Sequence, residues 1–171
     1  MKLFLIGYMG CGKSTIGRKL SAKIGYDLVD TDHLIEEREG MSVGDIFEKF
    51  GEARFREMER NVLDELIKSD KPCIVSTGGG LPLFGDNMEV MNGAGLTIYL
   101  HRTAENIASR LSAAGRYKRP KLRGLSDEEL VAFMSKNIAE RKPTYMKANC
   151  VVEAVPMNDD EILAFIESRM K

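Results

Sequence analysis

The chain has 171 residues, 43% hydrophobic and 30% charged, which fits one globular domain with its own core and excludes a globally disordered chain. Lys plus Arg number 25 and Asp plus Glu 26, so the net charge is -1 and no global field exists to hold nucleic acid or an anionic membrane. Any anionic ligand must therefore meet a local cluster of cations.

Lys2–Ile6 reads as a first strand. Its apolar run is far short of the roughly 20 residues that cross a bilayer. It is also too short for a secretory signal before Gly7. Gly7-Tyr8-Met9-Gly10-Cys11-Gly12-Lys13-Ser14 then fits the phosphate-loop pattern G-x-x-x-x-G-K-[ST] at every fixed position. Lys13–Ile24 follows as an amphipathic helix, with Ile16, Leu20 and Ile24 spaced by four and Gly25 as its stop. Glycines let successive N–H groups turn inward and let phosphates approach, and the helix start adds its positive dipole end. Lys13 is a point charge for the β- and γ-phosphates, and the Ser14 hydroxyl is a ligand for Mg²⁺. Gly10, Cys11, Gly12 and Thr15 complete the expected ATP contacts. This element implies nucleoside triphosphate binding and phosphoryl chemistry, and leaves the acceptor open.

Asp27–Asp30 reads as the second strand, ending in Asp30-Thr31-Asp32. Residues two apart on a strand share a face. Both carboxylates are therefore expected at the carboxyl edge, where open α/β sheets bind ligands. One would hold Mg²⁺ through water and the other would accept the proton of an attacking hydroxyl. For either alone, a solvated strand end or a helix cap is the alternative. The stretch to the next strand is longer than one crossover helix needs. It carries Arg54, Arg56, Glu57 and Glu59. Its helical part, Ala53–Lys68, places Phe55, Met58, Val62, Leu63, Leu66 and Ile67 on one stripe. We read residues 31–62 as an acceptor-binding subdomain.

Cys73–Thr77 is the third strand. It runs into Gly78-Gly79-Gly80, with no carboxylate where a phosphate-loop protein usually carries one. A glycine triplet at a strand end suggests close backbone approach to another group, or else a flexible turn. Leu96–Leu100 is the fourth strand, with His101 beginning a turn. Residues 113–125 hold Arg116, Lys118, Arg119, Lys121 and Arg123 without helical period, and read as a mobile lid; a nucleic-acid patch is the generic alternative. Ser126 and Glu129 form a capping box ahead of Leu130, Phe133 and Met134. Cys150–Val155 is the fifth strand, and Asn158 with Glu161 opens the last helix. Cys11, Cys73 and Cys150 are odd in number, widely spaced and without C-x-x-C. Neither a disulfide framework nor a structural zinc site is expected, and reduced thiols in the cytoplasm are the simplest reading. Short strands alternating with helices predict an α/β fold in three α-β-α layers around a parallel sheet.

The ordered set GYMGCGKSTIGRKLS, DTD, FREME, STGGG, RP and ERKPTY resembles the shikimate kinase family over nearly the whole chain. The resemblance implies a single kinase domain, 1–171, with a phosphate-loop fold like that of nucleoside monophosphate kinases and strand order 2-3-1-4-5. It implies transfer of the ATP γ-phosphoryl group to the 3-hydroxyl of shikimate, in chorismate and aromatic amino-acid biosynthesis. By the same resemblance Asp32 orients or deprotonates the nucleophile and Asp30 partners Mg²⁺. Arg56 and Arg141 clamp the shikimate carboxylate, and Glu59 fixes Arg56. The backbone of Gly78, Gly79 and Gly80 meets the substrate, Arg119 reaches the transferring phosphoryl, and Arg110 packs against adenine. Lys13, Asp32 and Arg119 are then the catalytic set.

Two features depart from the family pattern. The step from Arg110 to Arg119 is longer than the family's, and Lys121 stands where an apolar residue is usual. A planar guanidinium does match a carboxylate through two parallel hydrogen bonds, as Lys cannot. A surface ion pair with Glu57, Glu59 or Glu140 is the other use for these arginines. A related gluconate-type kinase and a non-catalytic nucleotide-binding module remain open; the N-K-x-D segment of a GTPase is missing. A monomer with small-molecule partners only, and with neither nucleic acid nor membrane, is expected.

Overall fold

The computed structural model describes all 171 residues. Five parallel strands, β1 (Lys2–Ile6), β2 (Asp27–Asp30), β3 (Cys73–Ser76), β4 (Leu96–His101) and β5 (Cys150–Glu153), form one sheet in the order β2-β3-β1-β4-β5. The helices around it are α1 (Lys13–Ile24), α2 (Thr31–Glu39), α3 (Val43–Lys68), α4 (Asn87–Ala94), α5 (Ala104–Arg110), α6 (Ala113–Tyr117), α7 (Asp127–Tyr145) and α8 (Asp159–Arg169). The expected fold class and strand order hold. Every residue of β1 and β3 is buried, as continuous apolar runs in a parallel sheet should be. No helix is long and apolar enough to cross a membrane.

Register places the site. Ser76 at the end of β3 lies opposite Leu5 on one side and Asp30 on the other. The phosphate loop after β1, the Asp30 corner and the glycine triplet therefore leave the sheet at one level, its carboxyl edge. The main core packs around β1, β3 and β4. A separate small core of Ile35, Ile46, Phe55, Met58 and Val62 lies between α2 and α3. Those helices thus carry their own packing within 31–62.

Several local expectations change. β3 stops at Ser76, β5 stops at Glu153, and His101 closes β4 instead of opening a turn. Its ring nitrogen Nδ1 lies 2.6 Å from Glu153 on β5. Helix α3 begins ten residues before Ala53, because Ser42 and Asp45 make a capping box there. It bends at Gly51, whose φ of 80° only glycine adopts freely and which interrupts the apolar period. The basic segment 113–125 is not irregular: Ser112 caps α6 and a 3₁₀ turn spans Pro120–Leu122. Its helix buries no residue, so it has no apolar stripe to betray it. Leu122 is anchored in the core and Leu125 packs against it.

Candidate active site

The phosphate loop runs from β1 into α1. Gly12 caps α1 at φ 104° and Gly10 stands at φ 78°, both in the left-handed region open to glycine. A Cβ on Gly10 would also meet Ile107 Cγ2 at 2.9 Å. Lys13 Nζ donates to the Gly7 and Tyr8 carbonyls at 2.8 and 3.1 Å. Cys11 is buried beneath the loop with its sulfur 3.8 Å from that nitrogen. Ser14 and Thr15 line the cleft at the start of α1.

Asp30 and Asp32 do not share a strand face. Asp30 ends β2 and caps α2, its Oδ1 accepting from the N–H groups of Asp32 and His33 at 3.1 and 3.2 Å. Its Oδ2 accepts from Ser14 Oγ at 3.2 Å, and Ser76 Oγ lies 3.5 Å from the same hydroxyl. The chain turns helical at Thr31, so Asp32 reaches the cleft from the first turn of α2. Asp30 is thus both the cap considered as an alternative and a neighbour of the phosphate-loop hydroxyl. Ser14, Asp30 and Ser76 offer hard oxygens at one point. Mg²⁺ is usually held by few carboxylates plus phosphates and water, so the donor set fits it. No cluster of three or more His, Cys, Asp or Glu competes as a metal cage.

The glycine triplet is explained by what crowds it. An ideal Cβ on Gly78 would stand 2.5 Å from Asp32 Oδ1 and 2.9 Å from Glu59 Oε1. One on Gly80 would stand 2.6 Å from Arg56 Nη1. One on Gly79 would stand 3.4 Å from the Gly7 carbonyl and 3.5 Å from Arg141 Nη1. Thr31 Oγ1 takes the Gly78 N–H at 2.9 Å, while the Gly79 and Gly80 N–H groups find no acceptor within the chain. The close-approach reading of the triplet holds, and the flexible turn is set aside.

Arg56 donates to Glu59 at 2.6 Å and to Glu52 at 3.2 Å, and its guanidinium lies 4.1 Å from the Phe84 ring centroid. The Glu59 pairing is as expected; Glu52 and Phe84 were not anticipated. Arg141, on α7, lies 5.3 Å from the Tyr8 ring centroid. Burial pushes the Asp32 carboxyl up to about 6, helped by the neighbouring charge of Asp30 and opposed by Lys13. Burial likewise holds Glu59 up at about 7 against the pull of Arg56. Asp32 Oδ1, Glu59 Oε1 and Arg56 Nε are buried without any hydrogen-bond partner. Buried polar groups are rarely left so without a water, an ion or a ligand to complete them.

Together these residues line one cleft of about 610 Å³. It brings in every expected site residue except Cys11, which packs beneath. Arg110 borders it, 3.6 Å from the Cβ position of Gly12. Arg119 lines it from the basic segment, with Nη1 donating to the Gly115 carbonyl at 2.7 Å. The other basic residues of that segment face elsewhere: Arg116 pairs with Asp127 at 2.6 Å and Arg123 Nε donates to the Tyr117 carbonyl at 2.7 Å.

Sequence reasoning missed Arg102. It is only 6% exposed. Its Nε donates to the Cys11 carbonyl at 2.9 Å, and its Nη1 to Ala154 O and Asn106 Oδ1, each at 3.0 Å. It ties the phosphate loop to the exit of β5. No local carboxylate or motif marks it; only the β1–β4 pairing brings β4 beside the loop.

A phosphate loop on a parallel sheet, opening on a cleft lined by three carboxylates (Asp30, Asp32, Glu59) and four arginines (Arg56, Arg110, Arg119, Arg141), defines the class as a phosphate-loop kinase. The chain belongs to the shikimate kinase family: the family model described as "SKI: Shikimate kinase" matches residues 9–171. The shikimate kinase of Parabacteroides distasonis is 44% identical over 156 residues, covering 91% of this chain and 89% of that protein. Among solved structures, shikimate kinase from Bacteroides thetaiotaomicron superposes with a TM-score of 0.91 at 36% identity, over 99% of this chain and 98% of that one. Shikimate kinase from Acinetobacter baumannii in complex with shikimate gives 0.84 at 30% identity, over 99% and 92%. The chain is accordingly an ATP-dependent phosphotransferase, and the gluconate-type and non-catalytic alternatives give way.

Proposed function

We propose that this chain transfers the γ-phosphoryl group of ATP to the 3-hydroxyl of shikimate, giving shikimate 3-phosphate and ADP, and that it does so with Mg²⁺. One observation carries the reading: three side chains that line the cleft beside the phosphate loop, Asp32, Glu59 and Arg56, each hold a buried polar atom without a partner. They need a ligand with both hydroxyls and a negative charge.

The residues divide the work. The phosphate loop, Gly10 to Thr15, cradles the ATP phosphates with backbone N–H groups and the Lys13 ammonium. Arg110 lies on the adenine side. Arg56 and Arg141 take the acceptor carboxylate, and the Gly79 and Gly80 N–H groups meet its polar edge. Asp32 orients the attacking hydroxyl, and its raised pKa suits a group that receives a proton near neutrality. Arg119 leaves the Gly115 carbonyl for the γ-phosphoryl oxygens, a stronger, charged acceptor, and stabilises charge as it is transferred. Ser14 and Asp30, with Ser76 beside them, would hold Mg²⁺, which would neutralise charge developing on the transferred phosphoryl group. Residues 31–62 act as the acceptor subdomain and 113–125 as a lid that excludes water. The chain works as a cytoplasmic monomer without nucleic-acid or membrane partners.

The test is ADP release with ATP, with and without Mg²⁺, against shikimate, quinate, gluconate and AMP. Shikimate-dependent, Mg²⁺-dependent turnover is expected. Turnover with another acceptor and none with shikimate would overturn the reading.

A further inference from the structure

Arg141 and Tyr145 lie one turn apart on α7 and project from the same face. Both meet Gly79. Arg141 Nη1 lies 3.5 Å from the Cβ position of that glycine, and the Tyr145 hydroxyl donates to the Gly79 carbonyl at 2.5 Å. Tyr145 is fully buried, with its ring packed on Tyr99 at a centroid distance of 5.0 Å. Burial pushes its phenol up to about 12, so the hydroxyl keeps its proton at any working pH.

The consequence follows from the peptide plane. The Gly79–Gly80 bond is trans, so the Gly79 carbonyl and the Gly80 N–H point in opposite directions. A hydroxyl that pins the carbonyl on the α7 side turns that N–H the other way. Gly80 lines the cleft beside the Arg56 guanidinium, and its N–H has no acceptor in the chain. Glycine offers no side chain to resist a peptide flip, so the pin must come from outside the loop. Resting on the acceptor site argued above, we propose that Tyr145 is a positioning residue: it fixes the Gly79–Gly80 peptide so that the Gly80 N–H stays aimed at the acceptor, and it sets acceptor affinity without touching the acceptor. The single turn from Arg141 to Tyr145 couples the carboxylate-binding arginine and the backbone donor to one helix.

Tyr145→Phe removes only the oxygen. The Gly79 carbonyl is left without its partner, so the shikimate KM should rise roughly tenfold, equivalent to about 1.4 kcal/mol. The ATP KM should stay within about twofold. Ile166→Val, in the core of α8, controls for lost stability and should move neither KM. Backbone resonances recorded without substrate test the pin separately from the acceptor. In Tyr145→Phe the Gly79 carbonyl and the Gly80 amide should shift, and the Gly80 amide should exchange differently. Unmoved resonances, or equal rises in both KM values, overturn the proposal. Moved resonances with no shikimate turnover in the wild-type chain would confirm the pin and refute its link to this acceptor.

Discussion

Gly78→Ala adds one methyl group where two carboxylates meet. Its Cβ would stand 2.5 Å from Asp32 Oδ1, 3.2 Å from Asp32 Cγ and 2.9 Å from Glu59 Oε1. Non-bonded heavy atoms reach their optimum at roughly 3.5–4.0 Å, so Asp32 must retreat by about 1 Å. The backbone adds no penalty, because Gly78 is outside the left-handed region. Neither carboxylate retreats cheaply: Asp32 sits in the first turn of α2, and Glu59 is held by Arg56 at 2.6 Å. Overpacking of this kind costs about 1–3 kcal/mol of stability. A misplacement of about 1 Å in a catalytic group costs about a hundredfold in rate. We therefore expect kcat to fall about a hundredfold with the ATP KM nearly unchanged. Coupled ADP release, with thermal unfolding in parallel, measures both. Gly93→Ala is the control. No atom lies within 4 Å of its Cβ position, inside α4, so the same chemical change should stabilise by about 0.5–1 kcal/mol. A Gly78→Ala enzyme with kcat within about threefold of wild type would refute the reasoning, because the misplacement argument demands far more.

Arg56→Lys keeps the charge and loses the fork, so the shikimate KM should rise at least about tenfold while the ATP KM holds. An unchanged shikimate KM removes Arg56 from the carboxylate. Arg102→Met strands the Cys11 and Ala154 carbonyls at about 1–3 kcal/mol each, and ATP binding should weaken before shikimate binding does. Urea unfolding and ATP titration measure this, and wild-type values in both would contradict the brace. Glu59 gives a pH test. Its carboxyl is raised in the folded protein to about 7, so the fold favours the neutral form. That stability is complete below the unfolded value and is lost as pH rises through about 7. At about 1.4 kcal/mol per unit, the protein assayed without ligands should be about 2–3 kcal/mol more stable at pH 5 than at pH 8. Glu59→Gln should flatten that slope; parallel slopes for the two proteins refute the assignment.

What could be read in advance follows from how locally each feature is encoded. The phosphate loop was legible because its glycines, Lys13 and Ser14 are contiguous and fixed by backbone geometry. The capping boxes at Ser126 and Asn158 were legible for the same reason. Asp30 and Asp32 were assigned to the right place for the wrong local reason. The strand period was extended two residues too far, past a cap that already satisfies two N–H groups. The first half of α3 was hidden by Gly51, and α6 by its lack of any buried face. The Arg141 site rested on resemblance alone, and Arg102 and the Tyr145 hydroxyl escaped altogether. Each acts on a backbone carbonyl distant in the chain, and nothing local records such a partner.

The net charge of -1 gains meaning once the cations are sorted by what they hold. Arg102 is committed, with three neutral acceptors in a buried setting outside the cleft lining. Lys13 and Arg119 are different. Both line the cleft, and their ammonium and guanidinium groups donate to backbone carbonyls of their own loops. A neutral carbonyl is a weaker acceptor than a phosphate oxygen, since charge-assisted bonds are about twice as strong. In the proposed reaction such a cation would exchange its carbonyl for phosphate at a net gain, and its acceptor would return to water or to a loop N–H. Had either been paired with a carboxylate, exchange would strand a negative charge beside incoming phosphates and oppose binding. Arg56 is paired with Glu59, and there the logic inverts. The proposed carboxylate acceptor would carry less charge than a triphosphate, and Glu59 holds the guanidinium plane in place, so that acceptor would need only to add to the pair.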